Sequence, residues 1–177
     1  MVRLDNVIRT AAVTCFGLML TACAGSFVTT KDFGQPYYFS VDEESRIPRN
    51  DENIDILKVV QKYRDAITQK DIGTLKSMVS TDYYENASTT DDLSDDYGNE
   101  RLEEILNDYL GQSVKDIRYV IEIKQLTREG EEYYVDYQFI YNFRYEIAGQ
   151  SYWQSKNDTN RITIVKENDE WKIKAGL

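Results

Sequence analysis

The sequence predicts an α+β domain, with three helices packed on a curved antiparallel sheet of four main strands. Three observations predict it. The odd positions over residues 133–147 are all apolar or aromatic: Tyr133, Val135, Tyr137, Phe139, Tyr141, Phe143, Tyr145 and Ile147. The even positions between them are mostly polar, and a period of two puts the odd set on one face of a strand. Further strand patterns flank this run at residues 117–123, 151–166 and 171–175, with turn residues between them. Every helical pattern precedes this strand-rich half, which is the order expected when helices cover one face of a meander.

The elements follow in order. Asn50 or Asp51 caps a helix running to about residue 69, with Ile56, Val60, Tyr63 and Ile67 on one face. Lys70-Asp71 breaks it, and Asp71 caps a second helix whose Ile72, Leu75, Met78 and Val79 share a face. Residues 83–86 read as a short extended piece. Residues 88–99 form a polar loop carrying Asp91, Asp92, Asp95 and Asp96. Clustered carboxylates suit calcium, but Leu93 and Tyr97 fall where EF-hand ligands should be, so a solvated acidic loop is the expectation. Asn99 caps a third helix, with Leu102, Ile105, Leu106, Tyr109 and Leu110 inward and Gly111 as its stop. Turns are expected at residues 128–131, 148–150 and 167–170. Residues 156–160 are polar, and a bulge is expected there.

Composition excludes several chemistries. The chain of 177 residues has a formal charge of −10, which repels phosphate backbones and argues against a nucleic-acid partner. It has no histidine, so Ser-His-Asp and Cys-His catalysis and the commonest zinc ligand are excluded. No cofactor and no metal site are expected.

Residues 1–22 read as a targeting segment. Arg3 and Arg9 make a weakly basic start, and residues 11–20 form an apolar core too short to span a bilayer. The following Leu20-Thr21-Ala22-Cys23 resembles the lipobox of bacterial lipoproteins. That resemblance implies cleavage before Cys23, a diacylglyceryl thioether on its sulfur and an acylated amine, which together give stable anchoring. Ala24 in place of Asp implies the outer membrane, facing the periplasm. Cys15 lies in the removed segment, so no disulfide or thiol site is expected after cleavage. Residues 23–50 hold both prolines and show no period, so the lipidated cysteine is expected to lead into a flexible tether. The domain is expected over residues 51–177, with Tyr37-Tyr38-Phe39 as a cluster that could dock on it.

Two phrases resemble the nuclear transport factor 2-like superfamily. One is residues 59–67, Val-Val-Gln-Lys-Tyr-Arg-Asp-Ala-Ile, followed by Lys70-Asp71-Ile72-Gly73-Thr74-Leu75. The other is Asp169-Glu170-Trp171-Lys172-Ile173. The resemblance covers residues 54–177 and implies a cone enclosing a pocket, with dimers formed through the outer face of the sheet. The opening phrase also resembles ketosteroid isomerase, in which a tyrosine and a protonated acid stabilise an enolate while a carboxylate moves the proton. Tyr63 matches that tyrosine. The proton-moving position falls on Ala87, which has no base, with Glu85 two residues away on the same side of a strand. The second acid falls near Asn160, with Asp158 two residues away.

The residues therefore support a non-catalytic module that binds a small apolar ligand or an envelope protein. The rivals are an isomerase or dehydratase using Tyr63 with Glu85 or Asp158, and a structural lipoprotein whose cone is filled by its own side chains. The candidate pocket residues are Tyr63, Met78, Tyr119, Tyr133, Tyr137, Phe139, Tyr141, Trp153 and Trp171. The competing assignment for these aromatics is core and dimer face.

Overall fold

The structure, a computed structural model, describes residues 26–86, 96–112 and 114–177. The expected targeting segment, Cys23, Ala87 and the acidic residues Asp91, Asp92 and Asp95 lie outside the described residues.

Residues 26–50 pack on the domain rather than forming the expected tether. Val28, Phe33, Phe39, Val41 and Ile47 are buried. Residues Phe39–Val41 form β1, which adds to the sheet in parallel, with Phe39 opposite Ile121 and Val41 opposite Ile123. Phe33 meets the Phe39 ring edge-on at 5.0 Å. An ion pair of Arg49 with Asp32, 3.0 Å, and a bridge between Phe27 and Pro48 close the segment on itself. Of the aromatic trio only Phe39 is buried; Tyr37 and Tyr38 stay exposed. Aperiodicity misled here because the anchors are single apolar residues between tight turns, not one face of a regular element.

Helix α1 spans Asp51–Gln69, and the Asn50 side chain caps it by accepting from the Asn53 N–H at 2.7 Å. Its buried face holds Ile56, Leu57, Val60, Tyr63 and Ile67. The helix also buries Arg64, whose Nε donates to the Tyr119 carbonyl at 2.7 Å. Helix α2, Ile72–Met78, starts where expected, with Asp71 accepting from the Thr74 N–H at 2.9 Å. Strands β2, Tyr84–Glu85, and β3, Tyr97–Gly98, make a small antiparallel pair. Helix α3, Asn99–Leu106, is preceded by Gly98 at the cap position. Asn99, expected as the cap, instead donates to the Ser80 carbonyl at 3.1 Å. A π-helical stretch, Asn107–Gln112, continues α3 past the expected stop.

The four long strands are β4, Val114–Glu129; β5, Glu132–Ile147; β6, Gln150–Glu167; and β7, Glu170–Ala175. The sheet order is β1-β4-β5-β6-β7, so the sheet is mixed and five-stranded, with the expected four-strand antiparallel meander as its main part. Register shifts between Val114 and Asp116, between Ile123 and Gln125, and between Thr163 and Ile164 bend it. The bulge expected at residues 156–160 is absent: β5 and β6 pair without a break from Tyr133–Ile164 to Ile147–Gln150.

The docked segment is energetically testable. Phe39 is fully buried, so Phe39→Ala should cost roughly 3–5 kcal/mol in urea unfolding. A chain beginning at Asn50 should melt well below the longer one. Equal melting temperatures would return the segment to the status of a tether.

Candidate functional site

The helices do not cover the whole apolar face of β5. Tyr133, Val135 and Tyr137 are buried, but Phe139, Tyr141, Phe143 and Tyr145 are only partly so. Where coverage ends, a cavity of about 500 Å³ opens. That size suits a small organic ligand.

Its walls come from four sources. Helix α1 supplies Tyr63 and Ile67, and β3 supplies Tyr97. The third helix and its π-helical continuation supply Ile105, Leu106, Tyr109 and Leu110. The sheet supplies Tyr119, Phe139, Tyr141 and Phe143, together with Gln154, Ser155, Lys156 and Asn160 from β6. Leu177 completes the rim.

Tyr119 is the hub of the inner wall. Its ring meets Tyr63 at 6.0 Å, Phe139 at 5.7 Å and Tyr141 at 5.5 Å, each near edge-on. Its hydroxyl lies 3.4 Å from that of Tyr137. Asn160 Nδ2 donates to the Tyr137 hydroxyl at 3.1 Å. Burial pushes the hydroxyl pKa values of Tyr63, Tyr119 and Tyr137 up, and that of Tyr141 to about 12. For Tyr63 the neighbouring Tyr119 and Tyr137 add to the burial effect. All four therefore remain protonated at neutral pH and can donate hydrogen bonds.

The sequence-predicted residues divide into two groups. Tyr63, Tyr119, Phe139 and Tyr141 line the cavity, and Tyr137 lies directly behind Tyr119. Met78 is a buried core residue. Tyr133 and Trp171 meet edge-on at 5.3 Å in a separate cleft with Glu52, Arg128 and Lys166. Trp153 is exposed on the outer face of the sheet, with Arg118 stacked on its ring at 5.4 Å. It is on the wrong face because it lies opposite Arg144, an even position of β5.

Neither candidate base lines the cavity. Glu85 accepts from the Gly176 N–H at 2.8 Å and lies 3.5 Å from the Tyr83 hydroxyl. Asp158 sits opposite Phe139 on β5, but its carboxylate accepts from the Thr159 N–H at 2.9 Å and pairs with Lys156 at 3.3 Å. These contacts, the Thr159 N–H first, hold its pKa below the usual carboxylate range. Of the three positions suggested by the isomerase resemblance, Tyr63 and Asn160 both line the cavity, and Ala87 lies outside the described residues. Tyr97, the third-helix residues and the polar row of β6 were missed as pocket residues. The third-helix apolar face and the pairing of β6 with the odd positions of β5 were the signals for most of them.

Solved structures resemble the chain in fold. A nuclear transport factor 2-like superfamily protein from Salmonella enterica serovar Typhimurium superposes with a TM-score of 0.56 at 12% identity, over 71% of this chain and 86% of its own. A ketosteroid isomerase-like protein from Erwinia carotovora atroseptica gives 0.57 at 16%, over 72% and 95%. The chain has the nuclear transport factor 2-like fold. A hexachlorocyclohexane dehydrochlorinase gives 0.57 at 12% identity, over 71% of this chain and 82% of its own. At such identities the likeness of these nuclear transport factor 2-like proteins carries the fold and no activity. No protein-family model matches the chain, and no curated protein matches it significantly in sequence.

The rim near the site depends on Gly176. Its φ is +83°, and a Cβ there would lie 1.9 Å from the Arg161 carbonyl oxygen. Its N–H holds Glu85, and its carbonyl accepts from Asn160 at 3.2 Å. Gly149 also has positive φ, at +78°, but a Cβ there meets nothing. Gly149→Ala should therefore cost only backbone strain, about 1 kcal/mol, and Gly176→Ala clearly more, about 2–3 kcal/mol. Equal losses in thermal unfolding would mean that residue 176 is not packed against β6.

Proposed function

We propose that this chain is a lipid-anchored bacterial envelope protein whose domain is a non-catalytic binding module for a small, largely apolar ligand. The observation that carries the binding reading is the open cavity, whose walls are mainly aromatic and aliphatic while both nearby candidate bases are bonded elsewhere. An enolate-type reaction needs a donor and a base converging on one substrate. The tyrosine hydroxyls supply donors, but Glu85 is tied to backbone and Asp158 to Lys156.

The anchoring reading rests on the lipobox-like Leu20-Thr21-Ala22-Cys23, with Cys23 as the acylated residue and the outer membrane, facing the periplasm, as the address. Among the described residues no helix is long and apolar enough to cross a membrane. A homodimer through the outer face of the sheet, or an envelope protein docked there, would place Trp153 and Arg118 in the contact.

Two experiments test these proposals. Metabolic labelling with palmitate should tag the protein, and Cys23→Ala should abolish the tag; equal labelling of the variant ends the anchoring proposal. Tyr63→Phe should cost about 1 kcal/mol of stability and leave the biological function intact in a complemented deletion strain. The alternative, an isomerase or dehydratase using Tyr63, predicts instead a stable but inactive protein, because losing a transition-state donor costs roughly 10²–10³ in rate.

A further inference from the structure

We infer that the cavity takes an amphiphilic monoanion: a small carboxylic acid with an apolar or aromatic body, seated with its carboxylate at Lys156. This rests on the binding-module reading and names the ligand class for the same site.

The polar groups of the cavity are unevenly placed. Three walls are aromatic or aliphatic, and the polar side chains Gln154, Ser155, Lys156 and Asn160 all come from β6. Lys156 is the only charged side chain among the described lining residues. Its ammonium lies 5.7 Å from the centroid of the Phe139 ring, where the aromatic wall meets solvent. The inner end is different in kind. There the tyrosine hydroxyls are donors, and Arg64 behind them is engaged by the Tyr119 carbonyl and Asp65, so an anion buried among them would lose its hydration without a paired charge. The head group therefore belongs at the mouth, and the apolar body inside, against Tyr119 and Tyr141.

The partner that Lys156 now has is a weak competitor. Asp158 pairs with it at 3.3 Å, but both side chains are more than half exposed, at 62% and 51%. Exposed pairs of this kind are held loosely and screened by salt. The overall negative charge of the chain acts over longer distances and is largely screened beyond ~8–10 Å. Asp158 is then a local brake on anion binding. It weakens the site by competing for Lys156 and by repelling the incoming carboxylate.

Isothermal titration of the purified protein with three probes of one shape tests this: phenylbutyrate, phenylbutanol and phenylbutylamine. The acid should bind roughly threefold to fivefold more tightly than the alcohol, the scale of one exposed ion pair, and the amine more weakly than either. Lys156→Gln should bring the acid down to the alcohol and leave the alcohol unchanged. Asp158→Asn should move the acid the other way, to tighter binding. Equal binding of acid and alcohol, or tightest binding of the amine, overturns the inference while leaving an apolar binding cavity in place. Binding by none of the three removes the binding-module reading itself.

Discussion

The structure depends on one mismatch of length. Strand β5 is 16 residues long and apolar along one face, while the helices reach only part of it. Burial alternates cleanly from Tyr133 to Tyr137 and then fades. A single layer of helices could bury the whole face only by running parallel to a flat strand for its full length. The sheet is instead bent at its bulges, and α1 packs chiefly across β4. The far half of β5 is left with aromatic side chains that meet one another, Tyr141 with Phe143 at 5.2 Å and Phe143 with Tyr145 at 6.0 Å. The cavity is the space between those rings and the third helix.

The inner end of the cavity is held by a buried cation that does not enter it. Arg64 turns away from Tyr63, its neighbour on α1, and binds the Tyr119 carbonyl. It also pairs with Asp65 at 2.6 Å and lies under the ring of Tyr38 at 4.7 Å. One guanidinium thus ties α1 to β4 and to the docked segment before β1. Burying it without those partners would be costly. The same contact fixes the height of α1 over the sheet, and so the meeting of Tyr63 with Tyr119. The segment expected to be a tether is therefore part of what positions the site.

Periodic elements were legible in the sequence and single anchors were not. Helix α1 could be read from Ile56, Val60, Tyr63 and Ile67, and β5 from its odd face, because many residues repeat the same signal. Strand β1 has three residues and one decisive side chain, Phe39, which no period announces. The pocket was half legible for a related reason. Alternation says which face a residue takes, and Tyr119, Phe139 and Tyr141 share the face that lines the cavity. It does not say how far along the strand the helices reach, so it does not separate the residues of this cavity from Met78, Tyr133 and Trp171, which lie outside it. Trp153 failed on register: its face is set by pairing with Arg144, and only the turn at Ala148 and Gly149 settles that pairing.

Asn160 carries the argument about chemistry furthest. It falls near the position where the isomerase resemblance calls for a protonated acid, and it does reach the tyrosine cluster. A protonated acid there would offer one donor to a substrate. The amide here is occupied on both sides. Its Nδ2 is shared between the Tyr137 hydroxyl and the Gly176 carbonyl, and its Oδ1 accepts from the Arg161 N–H at 2.8 Å. Redirecting it toward a ligand would leave the Gly176 carbonyl and the Arg161 N–H to find other partners. The same holds for Glu85, whose carboxylate secures the Gly176 N–H from the other side. Groups that could have served a reaction instead close the rim of the cavity, and the walls left to meet a ligand are mainly aromatic and aliphatic, with the polar row of β6 along one side.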